Sequence, residues 1–210
     1  MFFFAKVKNE KSLWVISISC ALLFSIIYFV DYFQYHAGSL QFRRFLINSF
    51  TFIEFFFLAA FIGLNLENRK SKFLLLFFSL AFTAFLVYFN VTSHFTRIDS
   101  IPIGIESLII ISFSFYFLYE RVKNPSITFI YNDYRFWVII GMIIYLAGSF
   151  FIYIYGEQLE KDAWKKFKYL TLVFYIIRAL FFSIGIIVFA KRPVLKNKQL
   201  NKTIPYLDIQ

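Results

Sequence analysis

The chain predicts an all-α, polytopic transmembrane bundle of six spans, and three features carry that prediction. Hydrophobic residues make up 60% of the 210 positions and aromatics 24%, with a mean hydropathy of +0.68, far above the apolar share of a soluble domain. The apolar residues gather into runs, each near the ~20 residues a helix needs to cross a ~30 Å hydrocarbon core. Between the runs stand short polar segments carrying Lys and Arg, the pattern of loops at a membrane surface. Open strand edges go unsatisfied in lipid, so each run is expected to be helical.

The first span is expected over residues 13–30. Lys6, Lys8 and Lys11 precede it, no small-residue cleavage site interrupts it, and it ends at Asp31. It therefore reads as a retained helix and not as a cleaved secretory signal. Residues 1–5 are expected to rest on the membrane surface, and a second reading makes them the remnant of an earlier helix. Five further spans follow at 46–64, 73–90, 101–119, 136–155 and 169–190. Pro102 falls in the first turn of the fourth, where a missing N–H is tolerated. Pro125 and Pro193 lie between or after spans, so none of these three prolines predicts a mid-helix kink. Trp14, Trp137 and Trp164 fall at or just beyond run ends, where an amphipathic ring prefers the headgroup region. Residues 1–192 read as one transmembrane domain and 193–210 as a basic cytoplasmic tail without an apolar period.

Orientation follows from the distribution of Lys and Arg. One side collects Lys6, Lys8, Lys11, Arg69, Lys70, Lys72, Arg121, Lys123, Arg135 and the five basic residues of the tail. The other collects Arg43, Arg44, Arg97, Lys161, Lys165, Lys166 and Lys168. The resulting bias of about two to one places both termini in the cytoplasm. The fifth loop argues the other way with its four lysines, although Glu157, Glu160 and Asp162 dilute its charge. The 33 phenylalanines, with abundant Ile, Lys and Asn, point to an AT-rich bacterial genome, and so to a multi-pass protein of the inner, or plasma, membrane.

Composition also narrows the function classes. A formal charge of +10 in a chain with no basic folded domain reports contact with anionic headgroups and not nucleic-acid binding. The lone Cys20 forms no internal disulfide. No phosphate-binding loop, zinc-protease, nucleophile-elbow or CxxC pattern occurs, and no catalytic residues are assigned. No cofactor is expected; the last span lacks the lysine that a retinal Schiff base would need. His36 and His94, on separate outer loops near Asp31 and Asp99, are weak metal candidates because they lack an HxH or HxxxH spacing.

The position that organises the rest is Glu54, a carboxylate in the middle of an apolar run. A charge at that depth is costly and must face a partner or a wet cavity. Arg178 is the only basic residue inside another apolar run, and it is expected to pair with Glu54. At ~1.5 Å rise per residue, Glu54, Arg178 and Glu106 lie roughly 12, 14 and 8 Å below the outer boundary, so the three can meet. Asn48, Thr51 and Glu54 share one helical stripe, as do Thr171, Tyr175 and Arg178, and Ser79, Thr83 and Asn90 come close to one. Gly141, Tyr145, Gly148 and Ser149 offer small residues for close helix approach. The site candidates are therefore Glu54, Arg178, Glu106, Thr51, Asn48, Tyr175 and Tyr145.

Two readings compete for that cluster: a ligand- or proton-responsive core, or a structural ion pair that fixes register. The expected function is a non-enzymatic membrane-embedded sensing or interaction subunit, whose partners are the bilayer, a membrane or cytoplasmic protein, or a second copy of the chain. The alternative is a small-solute or proton-coupled ion transporter. Against it stands the lack of paired Gly/Pro interruptions in the helices.

Overall fold

The computed structural model describes residues 11–18, 20–22, 25, 40–92, 100–123, 129–156 and 161–191. All of its regular elements are helical, and no strand occurs among the described residues. We number the helices α1 (Lys11–Leu22), α2 (Leu40–Asn65), α3 (Arg69–Thr92), α4 (Ser100–Lys123), α5 (Tyr134–Gly156) and α6 (Lys161–Lys191). A single 3₁₀ turn, Ile130–Asn132, leads into α5.

Four helices are long and apolar enough to cross a membrane, over Arg69–Phe89, Ile101–Lys123, Tyr134–Tyr155 and Tyr169–Lys191. These match the third to sixth expected spans. The apolar part of α2 is shorter, Ser49–Asn65, and α1 is described only over its first part. Helix α2 starts before its apolar run and α6 starts at Lys161, well before Tyr169. Backbone hydrogen bonding continues a helix past the end of its apolar run, so hydropathy and helix boundaries need not coincide.

The connections show why the helices stop where they do. Between α2 and α3, Asn68 caps α3: its side-chain oxygen accepts the Lys70 N–H at 2.9 Å, which satisfies one of the orphan donors of the first turn. Asp133 does the same for α5, accepting the Arg135 N–H at 3.2 Å. The α2 to α3 turn is gripped from α4. Glu120 accepts the backbone N–H groups of Glu67 (3.0 Å) and Asn68 (3.2 Å), while Arg121 donates to the Asn65 carbonyl (3.1 Å) and to Glu67 (3.0 Å). That clamp satisfies groups a helix end otherwise leaves open.

Helix α5 is central. It packs most extensively against α6 and next against α4, while α2 packs against α4 and α3. The main core joins Phe55, Leu58, Phe61 and Ile62 of α2 to Ile110 and Phe117 of α4 and to Ile139, Met142 and Leu146 of α5. Half of the α5 span is buried, against 17% for α3 and 22% for α6, so α3 and α6 present Phe, Leu, Ile and Val outward, as lipid-facing helices do. The close fit of α5 to α6 depends on glycine. A Cβ at Gly141 would meet the Phe181 Cβ at 2.7 Å, and one at Gly148 would meet the Phe174 ring at 2.4 Å, so only small residues let the two backbones approach. Helix α1 joins at the opposite end of α5 from Gly148: the Ser12 and Tyr134 hydroxyls lie 2.6 Å apart, and Leu13 packs with Tyr134 and Phe189.

Candidate functional site

The polar centre of the bundle is built by three helices around one ion pair. Glu54 on α2 and Arg178 on α6 meet directly, Nη1 donating to Oε1. Glu54 is 4% exposed and Arg178 7%, so the pair is enclosed by protein. Helices α2 and α6 share little backbone packing among the described residues, so the two long side chains make the junction. Pairing supplies the compensation that a charge in an apolar run requires.

Helix α5 contributes Tyr145, buried beneath the pair. Its hydroxyl lies 3.1 Å from Glu54 Oε2 and 2.9 Å from the Tyr175 hydroxyl. A phenol has one hydrogen; donated to the carboxylate, it leaves the Tyr145 oxygen to accept from Tyr175. Both Glu54 oxygens are thus engaged, one by a guanidinium and one by a phenol. The rings serve a second purpose. The Arg178 guanidinium carbon stands 4.1 Å from the Tyr145 centroid, 4.9 Å from Tyr175 and 6.0 Å from Phe182, within the range where aromatic faces attract a cation. The two tyrosine rings are themselves 4.7 Å apart.

Glu106 on α4 is 2% exposed and interacts electrostatically with both Glu54 and Arg178. It takes no part in the ion pair, and its Oε1 is buried without a hydrogen-bond partner among the described residues. Ser107, next on the helix, directs its hydroxyl to the Ile103 carbonyl at 2.8 Å. The cluster therefore holds two carboxyl groups and one guanidinium.

Of the other expected residues, Thr51 is buried one turn before Glu54 on α2, and Tyr175 and Tyr145 join the centre as described. The Asn48 side chain, His36 and His94 lie outside the described residues. Of the expected polar stripe of the third span, Ser79 donates to the Leu75 carbonyl and Thr83 to the Ser79 carbonyl of their own helix, and the Asn90 side chain lies outside the described residues. Hydroxyls in a helix bond back to the preceding turn when no interhelical partner is in reach.

Two contributors escaped the sequence reading. Phe182 stands one turn beyond Arg178 and closes the cation's third side. Tyr153 on α5 interacts electrostatically with Glu54 and Glu106. Its signal was present, since Gly141, Tyr145, Ser149 and Tyr153 recur at four-residue spacing and so keep near one face. No protein-family model, no curated protein and no solved structure matches the chain.

Proposed function

We propose that this chain is a non-enzymatic, multi-pass protein of a bacterial inner membrane, with six spans and both termini cytoplasmic. In this reading it serves as the membrane-embedded sensing or interaction subunit of a larger assembly. The carrying observation is the enclosed Glu54 and Arg178 pair with its tyrosines, shared among α2, α5 and α6. Helices α2 and α6 share little backbone packing among the described residues and are joined by the Glu54 and Arg178 side chains, so in this reading a change in the pair's charge alters how α6 sits against the rest of the bundle. That is the property of a responsive element: a local charge event acting on a helix arrangement. The Lys and Arg gathered at one end of the bundle, among them Lys70, Lys72, Lys123 and Arg135, supply a surface for anionic lipid or a partner protein.

The test is affinity purification of the tagged protein from its native membrane in mild detergent, at native expression, followed by mass spectrometry. A stoichiometric partner retained by the wild type and lost on Glu54→Gln supports the reading. Recovery of the chain alone, or of homo-oligomers only, overturns it.

One observation favours a transporter as the second reading, namely the unpartnered carboxyl oxygen of Glu106 beside the pair. Ionisable groups facing a bundle interior mark ion and proton routes in many membrane proteins. Flux into proteoliposomes that disappears in Glu54→Gln while the protein stays folded would establish that reading.

A further inference from the structure

The Glu54 and Arg178 pair is complete without Glu106. One guanidinium meets one carboxylate, and the remaining oxygen of Glu54 takes the Tyr145 phenol. Glu106 brings a second carboxyl into the same electrostatic neighbourhood without a second base. Its side chain is almost wholly buried, and Oε1 has no donor among the described residues. A buried acceptor left bare carries its full desolvation penalty, and a surplus negative charge in an apolar bundle carries a larger one. What Oε1 lacks among the described residues is a partner.

We infer that Glu106 Oε1 is an exchangeable binding point for a single small cation, taken up beside the Glu54 and Arg178 pair and released without breaking it. Two sources share that chemistry, the proton and a monovalent alkali cation. This inference rests on the reading of the cluster as a responsive core and names what it responds to.

The groups around Glu106 frame the site. From α2 comes Glu54, already paired; from α6 comes Arg178, with Tyr175 behind it; from α5 come Tyr153 and, one step further, Tyr145. Helix α3 adds nothing: its titratable side chains among the described residues are Arg69, Lys70 and Lys72 at its start and the exposed Tyr88. Arg178 repels a second cation, while Glu54 attracts it. Because Arg178 is committed to Glu54, an incoming cation meets Glu106 as the carboxyl without its own counter-charge. Uptake makes the cluster neutral, with two positive charges to two negative, and release restores one net negative charge between α2, α4 and α6.

The experiment is attenuated-total-reflection infrared difference spectroscopy on the full chain in phosphatidylcholine liposomes. One arm varies pH in buffer free of alkali cations; the other varies sodium chloride at fixed pH. In the wild type we expect a carboxyl band from one group per chain to respond. A response to pH alone identifies the proton, and a response to sodium identifies the metal cation. Glu106→Gln should lose the responding band, and Glu106→Asp should keep it at a displaced frequency. A wild-type spectrum silent in both arms overturns the inference, as does a band that Glu106→Gln leaves unchanged. If the Gln variant does not fold, the Asp variant decides alone, since an undisplaced band belongs to another carboxyl. The parent reading fails separately. A responding Glu106 in a chain that purifies without a partner removes the sensing subunit and keeps the cation site, and a silent Glu106 with a partner recovered does the reverse.

Discussion

Helix α2 is held at two levels by an arginine reaching a glutamate. Near its middle, Glu54 takes Arg178 from α6; just past its end, Glu67 takes Arg121 from α4. The side chains of the first pair are 5% and 8% exposed, and Tyr145 and Tyr175 lie against them. In the second, Arg121 is 10% exposed but Glu67 is 53% exposed. Both arginines lie near an aromatic ring, Arg121 over Phe117 at 5.1 Å and Arg178 over Tyr145 at 4.1 Å. The difference is the medium. A pair reached by water gains little from its charges, whereas a pair enclosed by apolar side chains turns severe as soon as one partner is lost. The clamp at the turn holds two helix ends together by satisfying backbone groups, Asn65 O and the N–H groups of Glu67 and Asn68. The central pair ties α6 to α2 through two enclosed charges.

Substitutions at four places, each with its control, would break or sharpen that contrast. The largest effect is expected from Arg178→Ala, which strands Glu54. It should destabilise the fold by about 3–5 kcal/mol, read from the unfolding midpoint in mixed detergent micelles. Replacing both partners by apolar residues of similar size should return most of that loss, because neither member of the pair is then left without its partner. A double variant as damaged as Arg178→Ala would show that packing, not charge, is at stake.

Gly141→Ala comes next. Its Cβ would collide with Phe181 Cβ and come within 3.4 Å of the Arg178 carbonyl oxygen, so α5 and α6 must part. About 1–3 kcal/mol is the usual range for such overpacking. Because the parting moves Arg178 and not the turn, cross-linking efficiency between cysteines placed on α2 and α6 should fall while α2 to α4 cross-linking at the turn is unchanged. Equal losses at both would dissolve the distinction between the two levels.

Tyr145→Phe keeps the ring beneath Arg178 and removes only the hydroxyl from Glu54 Oε2 and Tyr175. About 1–2 kcal/mol is expected for a hydrogen bond between membrane helices. The same unfolding assay checks it, with Tyr175→Phe expected to lose less because its hydroxyl bonds the phenol and not the carboxylate.

The smallest effect belongs to Glu67→Ala, about 0.2–1 kcal/mol, as for an exposed ion pair. That increment should shrink as salt rises toward 1 M, where the Debye length falls to about 3 Å. The Arg178→Ala increment should not change with salt. A salt-sensitive central pair would mean that water reaches it.

The two levels were not equally legible. Glu54 and Arg178 could be matched from the sequence because burial in an apolar run leaves each of them few alternatives. Arg121 and Glu67 stand among many charged residues near helix ends, where any of several pairings is sterically open and nearly equal in free energy. The turn contacts depend on backbone groups, which have no sequence signature beyond the capping Asn68. Glu106 is within electrostatic reach of the pair, yet the bare Oε1 seen among the described residues depends on the rotation of α4 about its own axis, which sets where its oxygens point.

By itself, the sequence determined that the chain is helical, where the long apolar helices Arg69–Phe89, Ile101–Lys123, Tyr134–Tyr155 and Tyr169–Lys191 fall, and which two buried charges must meet. Those follow from one-dimensional quantities, the length of an apolar run and the penalty for a charge inside it. Only the tertiary structure decided that α5 is the central helix, that α3 lies at the edge with its hydroxyls turned to its own backbone, and that two tyrosines and Phe182 surround Arg178. Neighbour order in an apolar bundle is set by the fit of side-chain shapes, such as Phe181 against Gly141. Lipid gives every apolar face nearly the same reward, so hydropathy carries no record of which face meets which.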